Sequence, residues 1–316
     1  MIARCIGCFV ATLLFLSISH AQTSFPRDTS FTLHATYVKE KKYRPYIRIA
    51  EVKADRSIAV DLDKIYLQRG SRKLAIDIFY PCPSKSRRSP GLLLIHGGGW
   101  RSGDKDQMHT LGRALAMRGY IAYAVEYRLS LEARYPAAVL DLKEAVRWAK
   151  THADRYRLDT TKLASVGTSA GGQLAALLGM TNDSPLFQTE SAGNAPTADI
   201  HAVIDIDGVL AFHHPESTEG KVAAEWLGGN YTEVPATWSE ASPLTHVSSH
   251  SVPILFINSS IPRFHAGRDD MISLLQRHGI YTEVQEFDDT PHPFWFFDPW
   301  FDPMVEYIDQ FLDRIW

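Results

Sequence analysis

The chain has 316 residues, of which 45% are hydrophobic and 22% are charged, and its formal net charge is −3. This composition is typical of a globular protein with a sizeable core, and it excludes intrinsic disorder, collagen-like repeats and coiled coils. The near balance of acidic and basic side chains also excludes the strongly basic field that nucleic-acid binding requires. The length would allow two average domains, but α/β proteins of this size commonly form one.

The first 21 residues have the pattern of a secretory signal. Arg4 supplies a positive charge, an apolar run follows from residue 6 to residue 18, and the small side chains of Ser19 and Ala21 fit a cleavage site. The run is too short for a comfortable transmembrane helix. We therefore expect an exported protein, periplasmic or extracellular, with no stable membrane insertion.

The remainder of the chain reads as an N-terminal extension, residues 22–60, followed by one catalytic domain, residues 61–316. The extension contains strand-like material between residues 31 and 51. In the domain, short apolar runs alternate with helical patterns, which predicts an α/β fold with a mostly parallel central sheet flanked by helices. Strands are predicted at 65–68, 74–80, 92–95, 121–126, 163–166, 202–206, 254–257 and 281–287, and helices at 107–118, 136–152, 170–180, 266–278 and 303–315. Polar stretches at 182–199 and 208–250 are interpreted as insertions over the carboxyl edge of the sheet.

The segment from Gly167 to Gly171 fits the pattern G-x-S-x-G, with a predicted strand before it and a predicted helix after it. The glycines allow a sharp turn that exposes the hydroxyl of Ser169 beyond the end of the strand. The following helix directs its positive end at that position. A glycine-rich turn that only buries a serine is the alternative, and the strand-turn-helix context favours a nucleophile.

A second glycine-rich segment, His96-Gly97-Gly98-Gly99-Trp100, follows the predicted strand 92–95. Backbone N–H groups in such a run are unobstructed, so Gly98, Gly99 and the N–H of Ala170 are predicted to form a donor pocket for an oxyanion. A phosphate-binding loop is a minor alternative, because neither G-x-G-x-x-G nor G-K-[ST] is present. Trp100 is predicted to contact substrate.

His292 lies in the loop after the last predicted strand. An enzyme whose serine comes first in the chain places its general base at that point. A single histidine is normally structural, but its position downstream of both Ser169 and the glycine loop indicates a catalytic role.

These three motifs, in this order, resemble the α/β-hydrolase superfamily. The resemblance is greatest to serine esterases, namely carboxylesterases and bacterial carbohydrate esterases of the hormone-sensitive-lipase-like and feruloyl- and acetyl-esterase-like groups, including pectin esterases. It covers roughly residues 60–316. It implies that Ser169 forms the acyl-enzyme, that His292 acts as base and then acid, and that Gly98, Gly99 and Ala170 form the oxyanion hole.

The acid of the triad is missing from the place where these families usually carry it, just after the strand 254–257. Three substitutes exist. Asp207 ends the preceding strand, Asp289 lies three residues before His292, and Asp269 lies where the loop becomes a helix. Any positioned carboxylate can orient the histidine and stabilise its protonated form. We favour Asp207 and leave Asp289 and Asp269 open.

The loop that lacks the acid carries Arg263 instead. A planar guanidinium suits recognition of a substrate carboxylate, and pectin backbones consist of uronic acid. Pairing with Asp288 or Asp289 is at least as plausible. Among the aromatic residues near His292, Trp295 is predicted to stack on a sugar ring, and burial in the core is the alternative.

Together these features predict an exported serine esterase that removes methyl or acetyl groups from plant cell-wall polysaccharide, most readily pectin. Its partner would be a polysaccharide or oligosaccharide substrate, and no oligomeric state is predicted. The alternatives are a generic carboxylesterase, an acetyl-xylan or feruloyl esterase, a serine peptidase and an inactive carbohydrate-binding homologue. No metal or cofactor is expected, because the histidines are scattered without ligand spacing.

Overall fold

The computed structural model describes residues 25–26, 28–53, 55–82, 88–182, 184–187, 193 and 195–316. The predicted signal segment, residues 1–21, lies outside these ranges. Within them, no helix combines the length and the apolar character that crossing a membrane would need.

Ten strands and nine α-helices make up the regular structure of the described residues. The strands are β1 (Arg48–Ile49), β2 (Ile58–Arg69), β3 (Arg72–Pro81), β4 (Ser89–Ile95), β5 (Ile121–Val125), β6 (Leu158–Thr168), β7 (Ala202–Ile206), β8 (Ile254–Ser259), β9 (Thr282–Phe287) and β10 (Phe297–Asp298). The helices are α1 (Leu33–Glu40), α2 (His109–Met117), α3 (Ala137–Thr151), α4 (Ala153–Tyr156), α5 (Ala170–Met180), α6 (Gly220–Leu227), α7 (Pro235–Glu240), α8 (Arg268–Arg277) and α9 (Phe301–Ile315).

Eight of the strands form one sheet in the order β2-β3-β5-β4-β6-β7-β8-β9. β3 pairs antiparallel with both β2 and β5, and every pairing from β5 across to β9 is parallel. The prediction of a mostly parallel central sheet is therefore confirmed. Because the parallel strands share one direction, the loops after β4, β6, β7, β8 and β9 all emerge at the same carboxyl edge.

The middle of β4 is an unbroken apolar run because helices cover both faces of the sheet. In β4, Leu93 and Ile95 belong to the core that contains residues of α3 and α5, whereas Leu92 and Leu94 belong to the core that contains residues of α2 and α9. A strand whose two faces are both buried has no polar side to alternate with. This is why residues 92–95 form an unbroken apolar run.

The N-terminal extension differs from the prediction of strand-like material. Residues 33–40 form α1, whose N-terminus is capped by the Thr32 hydroxyl, which accepts a hydrogen bond from the Ala35 N–H at 3.1 Å. The apolar residues Leu33 and Tyr37 are four positions apart, a spacing that fits one face of a helix. Between residues 31 and 51, only the two residues of β1 are a strand, and they pair antiparallel with β10. The extension is thereby fastened to the segment that follows His292.

The insertion at 208–250 carries α6 and α7 and covers the glycine loop after β4. The contact is aromatic: the indole rings of Trp226 in α6 and Trp100 are stacked, with centroids 5.0 Å apart. The insertion therefore supports the loop from the side opposite the sheet.

The end of β4 and the start of α5 approach so closely that Gly171 has no room for a side chain. A Cβ at Gly171 would overlap the carbonyl oxygen of Ile95. Gly220, at the start of α6, is also helical, but a Cβ there would meet nothing within 4 Å. These two glycines form a matched pair, one in contact with backbone and one in open space.

We expect Gly171→Ala to lower the free energy of unfolding by about 3 kcal/mol, because rigid backbone must move to accept the methyl group. Gly220→Ala should change it by less than about 1 kcal/mol, since alanine is the better helix former. Urea unfolding of both variants checks this. Equal effects would show that the close approach of β4 and α5 does not constrain the fold.

Candidate active site

Ser169 occupies the turn between β6 and α5 in a backbone conformation that is rare for a residue with a side chain. Its φ is 54° and its ψ is −119°. The turn is tight enough that a Cβ at Gly167 would overlap the carbonyl oxygen of Gly171. The Ser169 N–H donates to the carbonyl of Ile206 at 2.8 Å, which ties the turn to the end of β7. Such strain persists only where the surrounding structure holds it, and it presents the hydroxyl at the edge of the sheet.

Three side chains from three different loops form one hydrogen-bonded chain. His292 Nε2 lies 2.8 Å from the Ser169 hydroxyl, and His292 Nδ1 lies 2.8 Å from Asp207 Oδ2. Because a carboxylate only accepts hydrogen bonds, Nδ1 carries the proton and Nε2 is left to accept from the serine hydroxyl. The arrangement can therefore take a proton from Ser169 as the hydroxyl attacks an ester.

Asp207 is the acid that the geometry places against the histidine. It is fully buried, its φ is 53°, and its Oδ1 accepts a hydrogen bond from the Ser259 N–H at 2.7 Å. The two other candidates point elsewhere. Asp289 pairs with Arg44 at 3.0 Å, and Asp269 pairs with Arg268 at 2.9 Å. Of the three carboxylates left open by the sequence, the structure brings Asp207 to His292.

The glycine loop lies directly beside Ser169. A Cβ on Gly97 would be 3.1 Å from Cβ of Ser169, and Gly98 and Gly99 have φ values of 123° and 59°. A side chain at Gly98 would overlap the Ser102 carbonyl oxygen. Ala170 is the first residue of α5, where N–H groups have no partner within the helix. Gly98 and Gly99 follow Gly97 in the same loop and Ala170 follows Ser169 directly, so their assignment as the oxyanion donors stays a prediction.

The predictions that Trp100 and Trp295 contact substrate are wrong, because both side chains are buried. Trp100 is 2% exposed, and its indole N–H donates to Gln173 at 2.8 Å. Trp295 is 4% exposed and stands perpendicular to the His292 ring at 5.1 Å between centroids. Both therefore pack behind the site. The first is covered by α6, an element that the sequence interpretation left as a polar insertion.

Phe264 is a site residue that the sequence interpretation missed. Its ring stacks on the His292 ring with centroids 3.3 Å apart and planes 8° from parallel. The Arg263 guanidinium lies 4.0 Å from the centroid of Phe264. Phe264 comes from the loop after β8, where the expected acid is absent. The signal that could have found it is an aromatic residue in that loop.

Arg263 lies close to the site, and its pairing differs from the one considered above. Its Nη1 is 3.5 Å from Glu219 Oε1 and 3.5 Å from the Thr218 hydroxyl, and not against Asp288 or Asp289. The side chain is 46% exposed. Its charge is thus available to a ligand that reaches the carboxyl edge near His292.

A second carboxyl group lies on β7, two residues before Asp207. Asp205 is fully buried; its Oδ1 accepts from the Gly208 N–H at 2.9 Å, and its Oδ2 has no hydrogen-bond partner among the described residues. Burial, together with the nearby negative charge of Asp207, raises the pKa of Asp205 well above its usual range. Its surroundings therefore favour the protonated form of Asp205.

One cluster outside this site has the residue types of a metal site. Asp77, Asp106 and His109 lie together, but Lys105 Nζ is 2.7 Å from Asp77 and 3.2 Å from Asp106. Burial disfavours ionised Asp77, yet hydrogen bonds from His109 and Lys105 outweigh it and lower its pKa. An ammonium group thus fills the position that a cation would need, and the cluster is an ion-pair network.

We expect Asp205→Asn to stabilise the protein relative to the wild type increasingly as pH rises. Above the ordinary aspartate pKa, residue 205 loses its proton in the unfolded chain, whereas its raised pKa keeps the proton on in the folded protein. The equilibrium constant of unfolding therefore rises by about tenfold per pH unit because of this group. Asparagine removes that cost and keeps the acceptor for Gly208. Urea unfolding at about pH 5 and about pH 8 measures the trend. A pH-independent difference, or the same trend in Asp269→Asn, would contradict this.

Comparison with known proteins places the chain among esterases. Residues 76–278 match the family model described as BD-FAE. Esterase LipC of Mycobacterium tuberculosis is 28% identical over 66% of this chain and 52% of its own length. The probable carboxylic ester hydrolase LipM of the same organism is 29% identical over 64% of this chain and 46% of its own length. Ethyl acetate hydrolase of Pseudomonas putida is 30% identical over 64% of this chain and 65% of its own length. The chain spans about half the length of the two mycobacterial relatives.

Solved structures show the same fold at low sequence identity. The esterase Est2 of Thermogutta terrifontis has a TM-score of 0.67 and 24% identity, covering 82% of this chain and 93% of that one. A truncated carbohydrate esterase from gut microbiota has a TM-score of 0.64 and 20% identity, and the match covers 82% of this chain and 99% of that one. The fold is that of the α/β-hydrolases, and the resemblance stated from the motifs is confirmed. The chain belongs to the BD-FAE family of α/β-hydrolase esterases.

Proposed function

We propose that this protein is an exported serine esterase that removes methyl or acetyl groups from plant cell-wall polysaccharide, most readily pectin. The observation that carries the proposal is the hydrogen-bonded chain from Ser169 through His292 to Asp207. Carboxylic ester hydrolysis is also the activity named for the esterase relatives. Export rests on the predicted signal at residues 1–21.

In the acylation step the Ser169 oxygen attacks the ester carbonyl while its proton passes to His292 Nε2. The carbonyl oxygen becomes an oxyanion beside the N–H groups of Gly98, Gly99 and Ala170. The carbon–oxygen bond to the leaving alcohol then breaks, and His292 returns the proton to that alcohol. A methyl ester releases methanol and leaves the uronate on Ser169, whereas an acetyl ester releases the sugar hydroxyl.

Deacylation repeats the sequence with water. His292 takes a proton from the attacking water, the new tetrahedral centre collapses, and the proton returns to the Ser169 oxygen as the acid leaves. Protonated His292 in both steps lies against Asp207, which is buried and held by the Ser259 N–H. The Phe264 ring stacks on the imidazole and so covers one face of the ring that carries the proton.

The acidic substrate is supported by Arg263. A half-exposed guanidinium one aromatic ring away from His292 would serve little purpose toward a lipid ester, but it matches a uronate carboxylate next to the scissile ester. The two acidic side chains at the end of β7, Asp205 and Asp207, are buried and do not face such a substrate at the surface.

A second candidate is a general carboxylesterase for small neutral esters. The observation that favours it is the 30% identity to ethyl acetate hydrolase of Pseudomonas putida, the highest among the three relatives compared. This enzyme would use the same triad and would gain nothing from Arg263. Release of methanol and acetate from pectin, measured beside hydrolysis of ethyl acetate, separates the two candidates.

We expect Ser169→Ala and His292→Ala each to lower kcat on p-nitrophenyl acetate by about four orders of magnitude, because triad members act as a unit. Asp207→Asn should lower kcat by about 10²- to 10⁴-fold, since His292 loses its hydrogen-bond partner and with it the tautomer that accepts from Ser169. Asp289→Asn is the control and should keep nearly the full rate. Near-normal turnover by Asp207→Asn, or a large loss in Asp289→Asn, would show that the acid has been assigned to the wrong residue.

We expect Arg263→Ala to lose about tenfold in kcat/KM on partly de-esterified pectin oligosaccharides, a loss moderated by the exposure of the side chain. The loss on p-nitrophenyl acetate, which has no carboxylate, should be much smaller. Steady-state kinetics on both substrates checks the ratio, with the exposed Arg277→Ala as control. Equal losses on both substrates would assign Arg263 a structural role and leave the general carboxylesterase as the better description.

A further inference from the structure

We propose that the cleft beside His292 binds a carboxylate-bearing stretch of glycan, and that α1 of the N-terminal extension supplies one of its walls through Lys39. This inference rests on the proposed function and deepens it, because it assigns a binding site for the chain flanking the ester. The cleft has a volume of about 540 Å³, which lies within the range of ligand sites.

Three segments of the chain line the cleft. Lys39 and Arg44 line it from the N-terminal extension, Arg263 and Phe264 from the loop after β8, and His292 from the loop after β9. Because His292 also contacts Ser169, a molecule in the cleft is adjacent to the reacting ester. The occupant and the ester can then be neighbouring parts of one substrate.

The charges in the cleft differ in how firmly they are already paired. Arg44 donates to the Asp289 side chain at 3.0 Å and to its carbonyl at 3.2 Å, so it holds the wall in place. Lys39 Nζ is 3.7 Å from Glu40, and Arg263 Nη1 is 3.5 Å from Glu219. Charge-assisted hydrogen bonds are normally about 2.7–2.9 Å long.

Lys39 and Arg263 are therefore two loosely paired cations that line the cleft from two different segments of the chain. The side chain of Lys39 is 75% exposed, so a carboxylate can approach it without displacing a strong internal ion pair. Glu40, the acidic residue among those lining the cleft, is buried and lies 3.5 Å from Arg44. The accessible charge of the cleft is thus positive.

The remaining surface suits a sugar. Phe31 and Ile261 are half-buried and present apolar area, while the Ser30 hydroxyl is exposed. Sugar rings offer C–H faces to apolar surface and hydroxyls to polar groups, and the carboxylates of a uronate chain recur at every ring. An extended polyuronate matches a cleft whose cations come from two segments of the chain better than a single small anion does.

The test is binding of trigalacturonate to the Ser169→Ala variant, measured by calorimetry, so that no turnover is needed. Adding Lys39→Met, which keeps the side-chain length, should raise Kd about fivefold at low salt, and added salt should reduce the difference. Lys42→Met is the matched control: Lys42 is an exposed lysine three positions further along that does not line the cleft. It should leave Kd unchanged. Xylotriose, which is neutral, should bind the Lys39→Met and Lys39 forms equally.

Three results would overturn the inference: no binding of trigalacturonate, equal weakening by Lys39→Met and Lys42→Met, or equal weakening toward xylotriose. Each of these concerns the binding of uronate and leaves the ester-hydrolysis reaction itself untouched. Turnover of p-nitrophenyl acetate by the enzyme with Ser169 intact tests the esterase activity separately. An active esterase that fails the binding test would keep its function and lose this subsite.

Discussion

The strained turn at Ser169 is held by close backbone contacts on several sides, and the other site elements are arranged around it. Gly97 approaches it from the loop after β4, Gly167 and Gly171 close the turn itself, and the Ile206 carbonyl binds its N–H. None of these contacts involves a flexible side chain. The serine hydroxyl is therefore positioned by rigid main chain, which is the condition for a nucleophile that must meet an ester carbonyl without reorganisation.

Two buried aspartates at the same edge of the sheet have different electrostatic roles. Asp205 and Asp207 are both buried on or next to β7, yet only Asp207 faces His292. Burial and the nearby charge of Asp207 raise the pKa of Asp205, which favours a single negative charge beneath the imidazole. Two charged carboxylates in this position would repel each other with little water to screen them.

Much of the fold and the triad could be predicted because local chemistry and tertiary position agree there. Residues 92–95 of β4 form an apolar run because both faces of the strand are covered, and α5 begins directly after the turn at Ser169, as the G-x-S-x-G pattern predicts. For the acid of the triad, the sequence predicts only a set of three candidate residues. The choice among them depends on which carboxylate reaches His292 across the sheet. The predictions for Trp100 and Trp295 are wrong for a similar reason. Whether an aromatic residue beside a motif is buried or exposed depends on how distant segments of the chain pack against it, and no local sequence pattern encodes that packing. Leu33 and Tyr37 fit a helical face as well as a strand, and the Thr32 cap decides between them.

The hydrogen bond from the Ser259 N–H to Asp207 has a consequence for the loop that follows it. With the acid supplied from β7, residues after Ser259 contribute side chains but no proton-transfer partner to the chemistry. This segment instead places Arg263 and Phe264 beside the imidazole, so it can shape the surface that a substrate meets without carrying the acid of the triad. An engineer who wishes to redirect the enzyme to another ester should therefore vary the residues around Phe264, between β8 and α8, before altering any strand.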